Sequence, residues 1–223
     1  FRQSQIKLRL PVLVQPQLDA QVGGVLFGVD PVSGDRRHGV VEAVGGGPDA
    51  LVSGQANAAT GPEGIEANLK MAMAAAQSVG CNAHQILTAS TGVIGVAMEV
   101  EKIAAAMPDL VHHASTHAEP FALAILTTDL VPKTVTTTVQ LSGGTVRITG
   151  ISKGSGMIHP NMATMLGYLL TDAALPMGIA EEMLKQATNV SFNMISVDGD
   201  TSTNDAVFLL ANGASGVALK DDH

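Results

Sequence analysis

The sequence has 223 residues and a formal net charge of −8; 46% of the residues are hydrophobic and 14% are charged. This composition is typical of a folded chain with a sizeable core, and the negative charge disfavours a nucleic acid partner, because phosphates attract basic surfaces. Cys81 has no second cysteine with which to pair, and no apolar run reaches the length of about 20 residues that a membrane helix needs. We therefore expect a cytoplasmic protein without membrane contact.

The first part of the chain predicts a strand, a loop and a helix. The opening "FRQSQIKLRLPVL" resembles a strand entered part-way, and the glycine-rich residues 45–54 resemble a mobile loop. A helix is predicted from Pro62 to a stop at Gly80. It has a proline in its first turn, acidic residues near its positive end and a glycine at its other end.

The middle of the chain predicts one buried strand, two helices and a hairpin. "HQILTAS", residues 84–90, favours a buried strand that runs into the glycine turn "TGVIG". Helices are expected at about residues 98–106 and 117–126. The β-branched runs "KTVTTTVQL" and "TVRITGIS" flank Ser142-Gly143-Gly144, which is a strong hairpin signal.

The last third predicts a strand over "TMLGYLLTD", a helix from about residue 178 to 188, a loop over "VDGDTSTND" and the strand "AVFLLAN". Strands and helices alternate, but a hairpin joins some of the strands. The chain is therefore expected to adopt an α/β fold of the mixed α+β kind.

The stretch "KGSGMIHPNMATMLGYLL" places a small residue, Ala163, directly before Thr164. A threonine hydroxyl is a weak nucleophile unless a base lies beside it. Self-cleavage between Ala163 and Thr164 would create such a base, since a new α-amine has a pKa of about 7.7–8.0. The alternative from spacing alone is that Thr164 simply begins a strand, where threonine is favoured.

The turn "STGVIG" offers the hydroxyl of Thr91 and the unhindered backbone N–H of Gly92. Two such donors can stabilise an oxyanion, and the loss of one can cost about 10²–10³ in rate. The alternative is a glycine turn that only ends a strand.

Neither of two metal hypotheses is favoured. "VDGDTSTND" fails as a calcium loop, because Thr203 and Leu209 stand where glycine and glutamate are required; a rigid turn that orders nearby backbone is preferred. His113 and His117 are four residues apart but have no third ligand at a recognisable spacing, so they are interpreted as solvated histidines on a helix.

Several co-linear segments together resemble the ornithine acetyltransferase family, the bifunctional glutamate N-acetyltransferases of arginine biosynthesis. They are "SGQANAATG", "PEGIEANLKMA", "STGVIG", "TTDLVPK", "KGSGMIHPNMATML" and "SFNMISVDGDTSTNDAVFLLANG". The resemblance implies the self-cleaving N-terminal-threonine acetyltransferase fold of the DmpA/ornithine acetyltransferase type.

The resemblance also implies a set of site residues. Cleavage would occur between Ala163 and Thr164, and Thr164 would be the nucleophile that carries the acetyl group. Thr91 and Gly92 would form the oxyanion hole. The substrate would be bound by Thr127, Lys153 and Thr164.

The implied reaction transfers an acetyl group from N2-acetyl-L-ornithine to L-glutamate, with acetyl-CoA as a second donor in bifunctional members and without a cofactor or metal. Residues 1–163 would form the α-chain region, clipped at its beginning, and residues 164–223 the start of the β-chain region. An α/β heterotetramer or another oligomer is expected. Two alternatives stay open: an N-terminal-nucleophile amidohydrolase or aminopeptidase on the same scaffold, and an uncleaved chain with a binding role.

Overall fold

The computed structural model describes residues 54–114, 116–160 and 165–219, preceded by the backbone of two strands. These strands, β1 (Val22–Phe27) and β2 (Val40–Gly45), pair antiparallel. The sequence did not predict them, since paired glycines weaken a strand signal. The predicted opening strand and most of the predicted loop at 45–54 lie outside the described residues.

Helix α1 (Gly61–Val79) confirms the first predicted helix. Pro62 lies in its first turn, and Gly80 ends it in the left-handed conformation, with φ +77° and its N–H donated to the carbonyl of Ala76. Glycine adopts this conformation at little cost, which is why it ends helices so often. The buried side of α1 carries Met71, Ala72 and Ala76, and the helix packs against α2.

The predicted buried strand at residues 84–90 is wrong. A short 3₁₀ turn, Ala83–Gln85, opens this segment, Leu87 is 63% exposed, and no described strand pairs with the segment. Side-chain hydrogen bonds hold it instead: Thr88 donates to Asn68 at 2.5 Å, and Ser90 Oγ accepts the N–H of Asn57 at 2.9 Å. No strand in the described part of the chain thus pairs with this apolar run.

The two helices predicted next are confirmed as α2 (Val100–His112) and α3 (Glu119–Ala124). Because α2 ends at His112, His113 and His117 do not share a helical face. No group of three possible metal-ligating side chains exists among the described residues. None of the described helices is long and apolar enough to cross a membrane.

The main sheet contains β3 (Lys133–Leu141), β4 (Gly144–Lys153), β5 (Leu166–Thr171) and β6 (Ala206–Ala211), in that spatial order. The first three strands run antiparallel, which confirms the predicted hairpin. Strand β6 pairs parallel to β5. Helix α4 (Met177–Asn189) lies between β5 and β6 in the chain, close to its predicted bounds. The mixed α/β fold is thus confirmed.

The strand register brings three chain segments to one end of this sheet. Lys153, the last residue of β4, pairs with Leu166 at the start of β5, and Leu166 pairs with Ala206 at the start of β6. Residues adjacent to these strand ends, among them Met165 and Asp205, are therefore neighbours in space. This end of the sheet contains the candidate site.

Candidate active site

Lys153 is the centre of the site and is almost fully buried, with 2% of its surface exposed. Its ammonium group donates two hydrogen bonds of 2.9 Å each, to Oγ1 of Thr91 and to Oγ1 of Thr127. A buried cation is unfavourable unless its donors are satisfied. The structure therefore brings together three of the predicted site residues from three separate parts of the chain.

Two carboxylates lie near this cation: that of Asp129, which is fully buried, and that of Asp205, which is half-buried. Burial lowers the pKa of Lys153, while the negative charges of Asp129 and Asp205 act in the opposite direction. The side chain of Asp129 is completely buried, accepts the N–H of Gly154 at 2.7 Å and forms an ion pair with Lys133. The positive charge of Lys153 is thus partly balanced by neighbouring carboxylates.

The hydrogen bonds of Lys153 orient both threonine hydroxyls. An ammonium group has donors only, so the oxygens of Thr91 and Thr127 must be the acceptors of these bonds. Each hydroxyl hydrogen is consequently left to donate elsewhere. Thr91 can therefore donate a hydrogen bond to an oxyanion while Lys153 polarises its oxygen.

Gly92 occupies a backbone position that only glycine fits. Its φ is +126°, and a Cβ built there would lie 2.4 Å from the carbonyl carbon and oxygen of Gly54 and 2.7 Å from the nitrogen of Gln55. The turn is fixed against this neighbouring segment, because Val93 donates its N–H to the Gly54 carbonyl at 3.2 Å. None of the described residues accepts a hydrogen bond from the Gly92 N–H, so this part of the chain leaves it available to an oxyanion.

The predicted cleavage bond lies in residues 161–164, so Ala163 and Thr164 are outside the described residues. The residues on either side are well anchored. Ile158 and Met165 are both buried, with 2% and 8% of their surfaces exposed, and both pack with Phe192. The chain is therefore fixed both before and after the predicted bond.

A family model described as "ArgJ family" matches residues 40–223, which is most of the chain. The chain belongs to the ArgJ family. This confirms the resemblance to the ornithine acetyltransferases that the sequence motifs indicate.

Two curated relatives, both called "Arginine biosynthesis bifunctional protein ArgJ", illustrate the similarity. The protein of Chlorobaculum tepidum is 51% identical over 183 residues, which cover 81% of this chain and 45% of that protein. The protein of a Synechococcus is 52% identical over 164 residues, covering 73% and 40%. The chain thus spans less than half the length of these relatives.

Among solved structures, the ArgJ crystal structure from Bacillus halodurans is 29% identical. The overlap covers 65% of this chain and 78% of that chain, with a TM-score of 0.44. The family assignment rests on the sequence matches.

Sequence reasoning did not identify three further residues that lie at this candidate site. Asp129 follows Thr127 closely in the motif "TTDLVPK", and Asn204 and Asp205 close the loop "VDGDTSTND". Asn204 donates a side-chain hydrogen bond to the carbonyl of Ser90, directly before Thr91. Asp205 lies in a polar, glycine-containing loop, and Asp129 directly follows two threonines. These were the only available signals, because the partners of both residues are distant in sequence.

The loop "VDGDTSTND" orders nearby backbone, as predicted from the sequence. Asp198 accepts N–H groups from Met157, Ile158 and Asp200, with the bond from Ile158 at 3.0 Å. Burial acts to raise the pKa of Asp198, but these backbone hydrogen bonds together lower it below the ordinary aspartate value.

A groove of about 510 Å³ between α1 and α2 is a separate feature. Its lining includes Glu63, Glu66, Lys70 and Lys102, but none of Lys153, Thr91 and Thr127. Glu66 and Lys70 form an exposed ion pair one helical turn apart, which is ordinary for a solvated helix face. The groove does not contribute to the candidate active site.

Proposed function

We propose that the protein transfers an acetyl group from N2-acetyl-L-ornithine to L-glutamate through an acetyl-threonine at Thr164. The observation that carries the proposal is the buried Lys153, which bridges the hydroxyls of Thr91 and Thr127 in a chain of the ArgJ family. This arrangement supports an oxyanion site beside the start of β5, where Thr164 precedes Met165 in the chain.

The first step in this proposal is self-cleavage. Thr164 Oγ attacks the carbonyl carbon of Ala163, and the Oγ proton passes to the departing nitrogen of Thr164. The C–N bond breaks, so an ester replaces the peptide bond and Thr164 gains a free α-amine. Water then hydrolyses the ester and leaves a carboxylate on Ala163. Residues 1–163 and 164–223 would thus belong to separate α and β chains, and paired chains of this kind are proposed to assemble into an α/β heterotetramer or another oligomer.

Acetyl transfer then uses the new α-amine as the base. The amine takes the proton from Thr164 Oγ, which attacks the acetyl carbonyl, and the oxyanion accepts hydrogen bonds from the Thr91 hydroxyl and the Gly92 N–H. Ornithine leaves with the proton on its amine. The amine of glutamate attacks the acetyl ester in the second half of the cycle and regenerates the free hydroxyl.

Lys153 has a third ammonium hydrogen, which can donate a hydrogen bond to the carboxylate of a bound amino acid. Thr127 lies next to this ammonium group. A charge-assisted hydrogen bond of this kind is stronger than a neutral one. The word "bifunctional" in the names of the relatives supports a test of acetyl-CoA as a second donor. No step in this mechanism requires a metal or an organic cofactor.

The decisive experiment is intact-mass measurement with N-terminal sequencing of the protein expressed from its complete gene. We expect two fragments, one of which begins Thr-Met-Leu-Gly. The Thr164→Ala variant should stay uncut and inactive, whereas Thr138→Ala, an exposed threonine on β3, should behave as the wild type. A single uncut wild-type chain, or cleavage of Thr164→Ala, would contradict the proposal.

Product analysis then separates transfer from hydrolysis. With acetylornithine alone, a transferase should stop after acetylating Thr164, and added glutamate should yield N-acetylglutamate. Continuous release of acetate without glutamate would indicate a hydrolase instead.

A further inference from the structure

The loop from Asp198 to Asp205 contacts the chain on both sides of the predicted cleavage bond. At one end, Asp198 accepts the backbone N–H groups of Met157 and Ile158, which precede the bond. At the other end, Oδ1 of Asp205 accepts the N–H of Met165 at 3.0 Å, directly after Thr164. Each contact joins residues about 40 positions apart, so each is a tertiary contact rather than a local turn.

The same loop also contacts the oxyanion turn, the segment 90–95 that carries Thr91 and Gly92. Asn204 donates its side-chain N–H to the carbonyl of Ser90, the residue before Thr91. Strand β6 begins directly after Asp205 and pairs in parallel with β5. One short loop therefore connects the chain before the bond, the chain after the bond and the turn that carries Thr91 and Gly92.

The two aspartates would control different stages of the reaction. Before cleavage, Thr164 is covalently joined to the chain on both sides, so anchors on either side influence the bond. After cleavage, Thr164 remains attached only through Met165. The Met165 N–H is then the first hydrogen-bonding backbone group that follows the new terminal residue, and Asp205 holds it.

We infer that Asp198 and Asp205 are positioning residues: Asp198 aligns the uncut bond, and Asp205 aligns both the uncut bond and the terminal threonine that transfers the acetyl group. This inference rests on the proposed function and adds to it the residues that position the nucleophile.

The half-buried position of Asp205 supports a role beyond stability. Its Oδ2 is buried and has no hydrogen-bond partner among the described residues. Burial raises the pKa of Asp205. The hydrogen bonds from Ser202 and Met165 and the charge of Lys153 act in the opposite direction but do not cancel this effect. A buried carboxylate oxygen without a partner among the described residues is unfavourable for folding, and groups with a perturbed pKa are concentrated at functional sites.

The test compares two rates in variants of the protein expressed from its complete gene. The cleavage rate is followed by intact mass after a pulse of synthesis, and kcat and KM are measured per cleaved chain. We expect Asp198→Ala to slow cleavage far more than turnover. Asp205→Ala should slow both, with kcat lowered by up to about 100-fold and KM little changed, because misplacement of a reacting group by about 1 Å can cost that much.

Asp205→Asn provides the rescue, since an amide oxygen can still accept the Met165 N–H. It should restore most of the kcat that Asp205→Ala loses. Asp200→Ala is the matched control, because Asp200 lies exposed in the same loop and, among the described residues, forms a hydrogen bond only through its backbone N–H. It should match the wild type in both rates.

Should Asp205→Ala fail to fold, Asp205→Glu replaces it, and the longer side chain should lower kcat in a folded protein. The inference is overturned if Asp205→Ala or Asp205→Glu keeps the wild-type kcat, or if Asp205→Asn is as impaired as Asp205→Ala. It is also overturned if Asp198→Ala lowers turnover as much as cleavage. An uncut wild-type protein would instead contradict the proposed function itself, so the two failures are distinguishable.

Discussion

Replacement of Gly92 by alanine is the most direct test of the oxyanion turn. The new Cβ would lie 2.4 Å from the carbonyl of Gly54, which is backbone and cannot rotate away, and φ at this position is +126°. A strained backbone conformation costs about 1–3 kcal/mol, and overpacking costs a similar amount. The variant should therefore lose about 2–6 kcal/mol of stability, unless the turn separates from residues 54 and 55.

If the turn moves, the Gly92 N–H moves with it. The loss of one oxyanion donor lowers rates by about 10²–10³, so acetyl transfer should fall by that factor even where the protein remains folded. Urea unfolding followed by circular dichroism measures the stability, and transfer from acetylornithine to glutamate measures the activity.

Gly95→Ala is the matched control within the same turn. Gly95 has φ +80° but no heavy atom within 4 Å of a built Cβ, so only the backbone strain applies. Its N–H bond to the Ala58 carbonyl, 2.9 Å long, is available to alanine as well. We expect a smaller loss of stability and near-normal transfer. Equal stability and equal activity of the two variants would refute the role assigned to the Gly92 turn.

Three further predictions concern Lys153, Asp198 and the association of the two fragments of the cut protein. Lys153→Met replaces the lysine with an unbranched side chain that is one atom shorter and has no donors, and steady-state assays should show transfer lowered by about 10²-fold or more. Activity within threefold of the wild type would contradict the hydroxyl-orienting role. The pKa of Asp198 is lowered in the folded state, so Asp198 contributes stability that is present above about pH 4. This stability is lost as the pH falls through the folded pKa. The free energies of unfolding of the wild type and Asp198→Ala, measured by urea titration, should therefore become equal in acid. An unchanged difference in unfolding free energy down to pH 2 would argue against this linkage. The two fragments of cleaved protein should elute together in native gel filtration and separate only in denaturant; early separation would mean that the sheet does not hold them.

Elements with local signals were predictable from the sequence. Helix α1 has a proline at its start, an apolar face and a glycine at its end, and the β3–β4 hairpin has β-branched strands around a glycine turn. Such signals need no knowledge of the rest of the chain. The segment at 84–90 shows the limit, since an apolar run becomes a strand only if another strand lies beside it.

The candidate site was predictable from family motifs rather than from physical reasoning. Lys153 lies 62 residues from Thr91 and 26 from Thr127 in the chain, and no spacing rule places a lysine between these two hydroxyls. The contacts of Asp129 and Asp205 were missed for the same reason. Only the strand register, which aligns Lys153 with Leu166 and Leu166 with Ala206, explains why these distant residues meet.

The register of β4 and β5 affects how the cut protein would refold after denaturation. These strands form six cross-strand pairs, from Ile148 with Thr171 to Lys153 with Leu166, and the predicted cut lies in the connection between them. The uncut chain can form this ladder by closing on itself. Once cut, the same ladder must form between two molecules, so refolding would become second order and its yield would depend on protein concentration. A chain that folds first and cuts itself afterwards would have a native state that is easy to reach once and difficult to regain.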